Sequence, residues 1–183
     1  GAVNVLYGSA TGLGSTGNQF WSENSGGIDN SCESGDAFGQ TLTAGDFDGN
    51  GCDDLVVGVP YEDPGPTSNA GLVHVIYGTT TGLSATNDEV WYQASESVQA
   101  DPGAFDSFGE ALAAGDFDHD GHDALAIGIP HEDTIDGTDA GAVIVLYGDP
   151  TGLSVAGANL FRQSMFLDVF VLLDAEPGEL FGC

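Results

Sequence analysis

Positive charge is almost missing from this chain. Its 183 residues hold 29 Asp and Glu against one Arg162 and no lysine, a formal net charge of -28. Such a surface repels nucleic acid, anionic membranes and phosphate-bearing substrates, and those partner classes are close to excluded. Long apolar runs are also lacking. The longest, Met165 to Leu173 (MFLDVFVLL), is nine residues and too short to span a bilayer. No segment is long and periodic enough for a helix. There is no GxSxG elbow, no HExxH and no glycine-rich phosphate loop, so no catalytic motif stands out. A glycosidase-like carboxylate pair is recognised by distance, and nothing in the sequence singles one out. The chain shows no initiator Met and no signal peptide, which fits a processed or excised piece.

What the chain does have is repetition. Phe38-Gly39 and GDFDGNGCDDLVVGVPYED (45–63) return 70 residues later as Phe108-Gly109 and GDFDHDGHDALAIGIPHED (115–133). The same offset relates Tyr7-Gly8, Tyr77-Gly78 and Tyr147-Gly148, and also Trp21, Trp91 and Phe161. A period held at so many unlike positions marks a repeat architecture.

Within one period the apolar runs are short and rich in β-branched or aromatic residues: Phe38 to Ala44, Leu55 to Val59, Leu72 to Tyr77 and Val90 to Gln93. They read as four strands. In the third, Val73, Val75 and Tyr77 point one way and Leu72, His74 and Ile76 the other. The second is apolar on both sides, as a buried strand is. Four strands per tandem unit suggest the blade of an all-β propeller, with a stack of sandwiches as the rival.

Phe-Gly, then a DxDxDG-like loop, then Gly-Val-Pro (58–60) or Gly-Ile-Pro (128–130) resembles the FG-GAP repeat of integrin α-subunit propellers and bacterial relatives. Val59 and Ile129 stand where that motif has Ala. The resemblance implies four-stranded antiparallel blades, seven to a closed ring, with calcium in the loop joining the first and second strands. On that template residues 1–37 supply the last strands of one blade and a connection. Residues 38–107 and 108–163 form two whole blades, and 164–183 hold the apolar connection and Phe181-Gly182, the start of another. About 2.6 repeats make an incomplete propeller that needs further blades from the same or another chain.

Calcium takes six to eight oxygen ligands, which carboxylates at alternate residues supply when glycine lets the loop turn sharply. In the first loop the candidates are Asp46, Asp48, Asn50, the Cys52 carbonyl and Asp54, with Gly51 at the turn. The second offers Asp116, Asp118, Asp120 and the His122 carbonyl, with Gly121 at the turn. Its ninth place is Ala124 where the family has Asp. Asp123 or a water fills the gap, and the second site is expected to be weaker or altered. An EF-hand would carry Glu at the twelfth place, where Val57 and Ile127 stand. Plain polar turns are the blander reading of both loops. A transition metal shared by His119 and His122 is a weaker reading than solvent-facing histidines.

Cys32 and Cys52 flank one extended strand, which separates them by about 25 Å, so no disulfide joins them. Cys183 is left over, open to an intermolecular link. The face opposite the calcium loops, built from 24–37, 59–71, 94–107 and 129–141, is the expected site for a protein or glycan ligand. The expectation is a Ca2+-stabilised, extracellular or cell-surface segment acting in binding or adhesion. The alternative is an accessory or catalytic module working on polysaccharide.

Overall fold

The computed structural model describes residues 1–95, 102–162 and 165. Its elements are strands: β1 (Val3–Val5), β2 (Gly8–Ser9), β3 (Gly12–Leu13), β4 (Gln19–Trp21), β5 (Thr41–Gly45), β6 (Asp54–Val59), β7 (Leu72–Tyr77), β8 (Ser84–Trp91), β9 (Ala111–Gly115), β10 (Ala124–Ile129), β11 (Ala142–Asp149) and β12 (Gly152–Arg162). Two four-stranded antiparallel sheets, β5-β6-β7-β8 and β9-β10-β11-β12, are simple meanders. Ahead of them β1 pairs with β4, and β2 with β3; with β1-β4 as the first sheet, the two meanders are the second and the third. The chain is all-β, and its sheets form part of a propeller without closing a ring. No helix among the described residues is long and apolar enough to cross a membrane.

The 70-residue period is carried down to register. Thr41 opposes Gly58 as Ala111 opposes Gly128, and Leu55 opposes Ile76 as Leu125 opposes Leu146. The outer pairs match too, Val73 with Trp91 and Val143 with Phe161, each with an irregularity just before Tyr77 or Tyr147. Register is specified this tightly because a slip of one residue would turn every core side chain to the wrong face.

Two apolar clusters fill the gaps between successive sheets. Val73, Val75 and Tyr77 of β7 join Phe47, Val56, Phe108, Leu125, Ile127 and Leu146 in one cluster. Leu72 and Ile76, from the other side of β7, join Val3, Trp21, Phe38, Val57 and Val59 in the second. The alternation read from the sequence therefore divides the core, and β6 is buried on both faces. Burying one such side chain contributes about 1.5–3 kcal/mol, so these junctions dominate cohesion.

Each junction is keyed by the Phe-Gly pair. Phe108 is fully buried against the second sheet, and Thr41 Oγ1 donates to the Gly109 carbonyl at 2.5 Å. The backbones approach so closely that a Cβ on Gly71 (φ 81°) would lie 2.4 Å from the Phe108 carbonyl oxygen. A second tie joins the opposite end. Leu83 N–H donates to Tyr7 Oη at 3.0 Å, and Leu153 N–H to Tyr77 Oη at 3.2 Å. On the third sheet the groove matching the Phe108-Gly109 seat is lined by Ala111, Gly128, Ile129, Pro130, Gly141 and Val143, with a volume near 660 Å³.

Two strand limits differ from the sequence reading. The first strand starts at Thr41 rather than Phe38, because Gln40 N–H bonds the Ala37 carbonyl in a turn that aims Phe38 into the preceding sheet. The fourth spans Ser84–Trp91 rather than 90–93. Its first half is a polar edge strand, invisible to a search for apolar runs. Met165 to Leu173, apart from Met165, and Phe181-Gly182 and Cys183 lie outside the described residues. Cys32 and Cys52 are free thiols.

Candidate metal centres

Each acidic loop leaves the end of the first strand of its sheet, β5 or β9, and returns as β6 or β10. The turns are made by residues in the left-handed region, Gly49 and Gly51 in the first loop and His119 and Gly121 in the second. In the first loop ligand oxygens of Asp46, Asp48 and Asp54 lie within 4.8 Å of one another, and in the second those of Asp116, Asp118 and Asp120 do. The loop backbone folds around the leading carboxylate. Asn50 N–H and Gly51 N–H donate to the two oxygens of Asp46 at 2.9 and 2.8 Å. Asp120 N–H and Gly121 N–H treat Asp116 the same way at 3.1 and 3.3 Å.

The first loop is anchored from below. Asp54 is 1% exposed, and its oxygens accept from Phe47 N–H at 2.9 Å and Gly78 N–H at 2.7 Å. One carboxylate thus ties the loop to its own strand and to the end of β7. Burial pushes its pKa up to about 6; the two N–H bonds oppose that rise, and the Asp48 and Asp46 charges add to it. Asn50 adds a second tie, its Nδ2 reaching Asp48 Oδ2 at 2.8 Å and the Gly78 carbonyl at 3.2 Å, while its Oδ1 accepts from Cys52 N–H at 2.9 Å.

The second loop lacks this anchor, since Ala124 replaces Asp54 and is buried. Asp123 does not turn into its own loop. Its Oδ2 accepts from Asp46 N–H at 3.0 Å and its N–H donates to the Asp46 carbonyl at 2.9 Å, so it ties β10 to the first loop. The His122 ring leans the same way. A Cβ on Gly49 would meet it at 2.7 Å, and its Nδ1 stands 3.4 Å from Asp120 Oδ1.

Hard carboxylate and carbonyl oxygens, without a lysine anywhere in the chain to neutralise them, suit a hard divalent cation. Oxygens that already accept one N–H keep a further lone pair for an ion. The first loop fits such an ion with three clustered carboxylates, one of which, Asp54, is the buried anchor. The second fits with one half-buried carboxylate, Asp116, and two exposed ones, Asp118 and Asp120.

A propeller segment with these loops belongs to a recognisable class. The FG-GAP repeat profile matches residues 38–76 and 108–146, and the chain carries two such repeats. Phosphatidylinositol-glycan-specific phospholipase D of Homo sapiens is 35% identical over 124 residues, 67% of this chain and 14% of that protein. Integrin alpha-4 of Xenopus laevis is 32% identical over 133 residues, 72% of this chain and 12% of that protein. Integrin alpha-PS5 of Drosophila melanogaster is 28% identical over 120 residues, 65% of this chain and 10% of that protein. The chain thus spans about one seventh or less of the relatives it matches.

One acidic group escaped the sequence reading. Glu23, Asp36 and Glu62 come from three separate segments and are brought together, all buried, on the opposite face. Comparing the copies residue by residue, Glu23 with Gln93, was the signal that would have found it.

Proposed function

We propose that both loops hold calcium, the first more tightly than the second, and that the bound ions stabilise blades whose role is binding or adhesion outside the cell. The observation that carries this is the convergence of three carboxylates in each loop at one end of neighbouring sheets. Asp46, Asp48 and Asp54, with Asn50 and the Cys52 carbonyl, would hold the first ion. Asp116, Asp118 and Asp120, with the His122 carbonyl, would hold the second. The ion supplies positive charge that offsets carboxylate repulsion and fixes the loop against its strands. Kinship with integrin alpha subunits supports the adhesive reading and an extracellular or cell-surface place. The partner would be a protein or glycan on the face opposite the loops, with further blades completing the ring.

Thermal melts of the full chain in calcium, in magnesium and in excess EGTA test the metal part. A calcium-specific rise in Tm of several degrees is expected, because only the folded state binds the ion; equal midpoints in all three would refute it. Calcium-dependent retention on a cell-surface protein or glycan without turnover supports the binding role. Release of reducing ends from a retained glycan would replace it with the polysaccharide-acting reading.

A further inference from the structure

The two junctions between successive sheets can be compared position by position, because the register repeats. At the junction of the second and third sheets, Gln93, Asp106 and Glu132 are 2, 3 and 3% exposed. Gln93 Nε2 donates to Asp106 Oδ2 at 2.9 Å and to Glu132 Oε2 at 2.5 Å, so one amide holds two buried carboxylates together. Seventy residues earlier the same three places are Glu23, Asp36 and Glu62, which are 1, 6 and 4% exposed. The bridging amide has become a third carboxylate.

That exchange leaves acceptors with nothing to accept from. Both oxygens of Glu23 and Oε2 of Glu62 have no hydrogen-bond partner among the described residues. Glu23 nevertheless points into the cluster, since one of its oxygens lies within 4.8 Å of Asp36 and Cys32 ligand atoms, and Asp36 is equally close to Glu62 and Glu33. Buried carboxylates without compensation are costly and are normally paired or metal-bound. Burial first, then the Glu62 and Asp36 charges, push the Glu23 pKa up to about 7, and burial raises Glu62 as well.

The neighbourhood changes in the same direction. Asp36 is held as its counterpart is, by Glu33 N–H at 2.6 Å where Gly103 N–H holds Asp106 at 2.6 Å. Yet the first junction puts Glu33 where the second has Gly103, adding a side-chain carboxylate. A cavity of about 500 Å³, lined by Asn30, Glu33, Asp36, Glu62, Asp63 and Asn69, gives a path in from solvent.

We propose that Glu23, Asp36 and Glu62 bind a hard divalent cation, which bridges the first junction as the Gln93 amide bridges the second. Glu33 and Asn30 border the ion; its three carboxylates select calcium or magnesium over softer metals, and the one softer donor nearby, the Cys32 thiol, is exposed and turned to the Glu33 carbonyl at 3.8 Å. The site is independent of the acidic loops. β6 leaves its loop at Asp54 and reaches Val59, beside Glu62, at the other end of the sheet.

Native mass spectrometry of the full chain titrated with calcium, then with magnesium, counts the bound ions. Glu23→Gln copies a side-chain arrangement the fold already contains, so it is expected to fold, to lose one ion, and to melt higher than the parent in EGTA. Gln93→Glu is expected to gain one ion, held more weakly because Gly103 offers no side-chain oxygen where the first junction has Glu33. Asp46→Asn with Asp48→Asn removes a different ion, so combining them with Glu23→Gln should lose two. An unchanged ion count in Glu23→Gln overturns the proposal, and a higher Tm in EGTA alongside that unchanged count would assign the cluster to a shared proton instead. Loss of an ion in Glu23→Gln while the loop substitutions change nothing would uphold this site and refute the loop reading.

Discussion

Phe47 and Phe117 occupy the same place in two copies of one loop, yet the first is 0% and the second 49% exposed. Their own loops do not explain this. Phe47 packs against the third sheet, among Leu125, Leu146 and Leu153. Phe117 faces the position that a following sheet takes, and no such sheet lies among the described residues. The same contrast holds below the loop, where Asp54 pins Phe47 N–H and Gly78 N–H and Ala124 pins nothing. A repeat unit is therefore not finished by its own sequence. Its neighbour completes the core, and one anchoring carboxylate decides how firmly its loop is held.

The sharpest way to break this comparison is to truncate both phenylalanines. Phe47→Ala is expected to cost about 3–5 kcal/mol by denaturant unfolding, as for a buried aromatic, and Phe117→Ala under about 1 kcal/mol. Similar costs would mean that the two loops are packed alike. Next comes the anchor. Asp54→Ala strands two buried backbone N–H groups and is expected to cost about 2–3 kcal/mol in EGTA, and more in calcium. Ala124→Asp should raise calcium affinity at the second loop about tenfold while lowering stability in EGTA; no change in affinity would show that the ninth place does not matter.

A smaller effect concerns His74, fully buried where the next copy has Ile144. Burial lowers its pKa from 6.5 to about 4. Between those values the unfolded chain takes up a proton that the folded chain does not, so this group makes stability fall as pH drops from 6.5 to 4. The loss is on the order of 2 kcal/mol. Raised carboxylates such as Asp88 and Glu62 act in the opposite direction, so the test is the difference between parent and His74→Ile across that window. The stability of the variant relative to the parent should rise as pH falls from 6.5 to 4, and parallel pH profiles would contradict the assignment. Smallest of all, Asp123→Ala removes one inter-sheet hydrogen bond and is expected to cost about 1 kcal/mol.

Much of this was readable from residue order. The period marked the sheet repeat, and the alternation along Leu72–Tyr77 divided the core correctly because both its faces are apolar apart from His74. The loop carboxylates cluster as their alternate spacing suggests, since a glycine turn brings near neighbours together. What escaped was of two kinds. The polar half of β8 forms a strand only because β7 offers it partners, and polar edge residues carry no apolar signal. Glu23, Asp36 and Glu62 meet through the tertiary fold, as Asp123 meets Asp46, and spacing along the chain says nothing about such pairs.

The most direct test is a calorimetric calcium titration of the full chain, freed of metal, alongside Asp54→Ala. Unequal binding classes are predicted, with the loop contribution that disappears in Asp54→Ala tighter than the one that disappears in Asp118→Ala. Equal affinities for the two loops, or tight binding untouched by Asp54→Ala, would contradict the account.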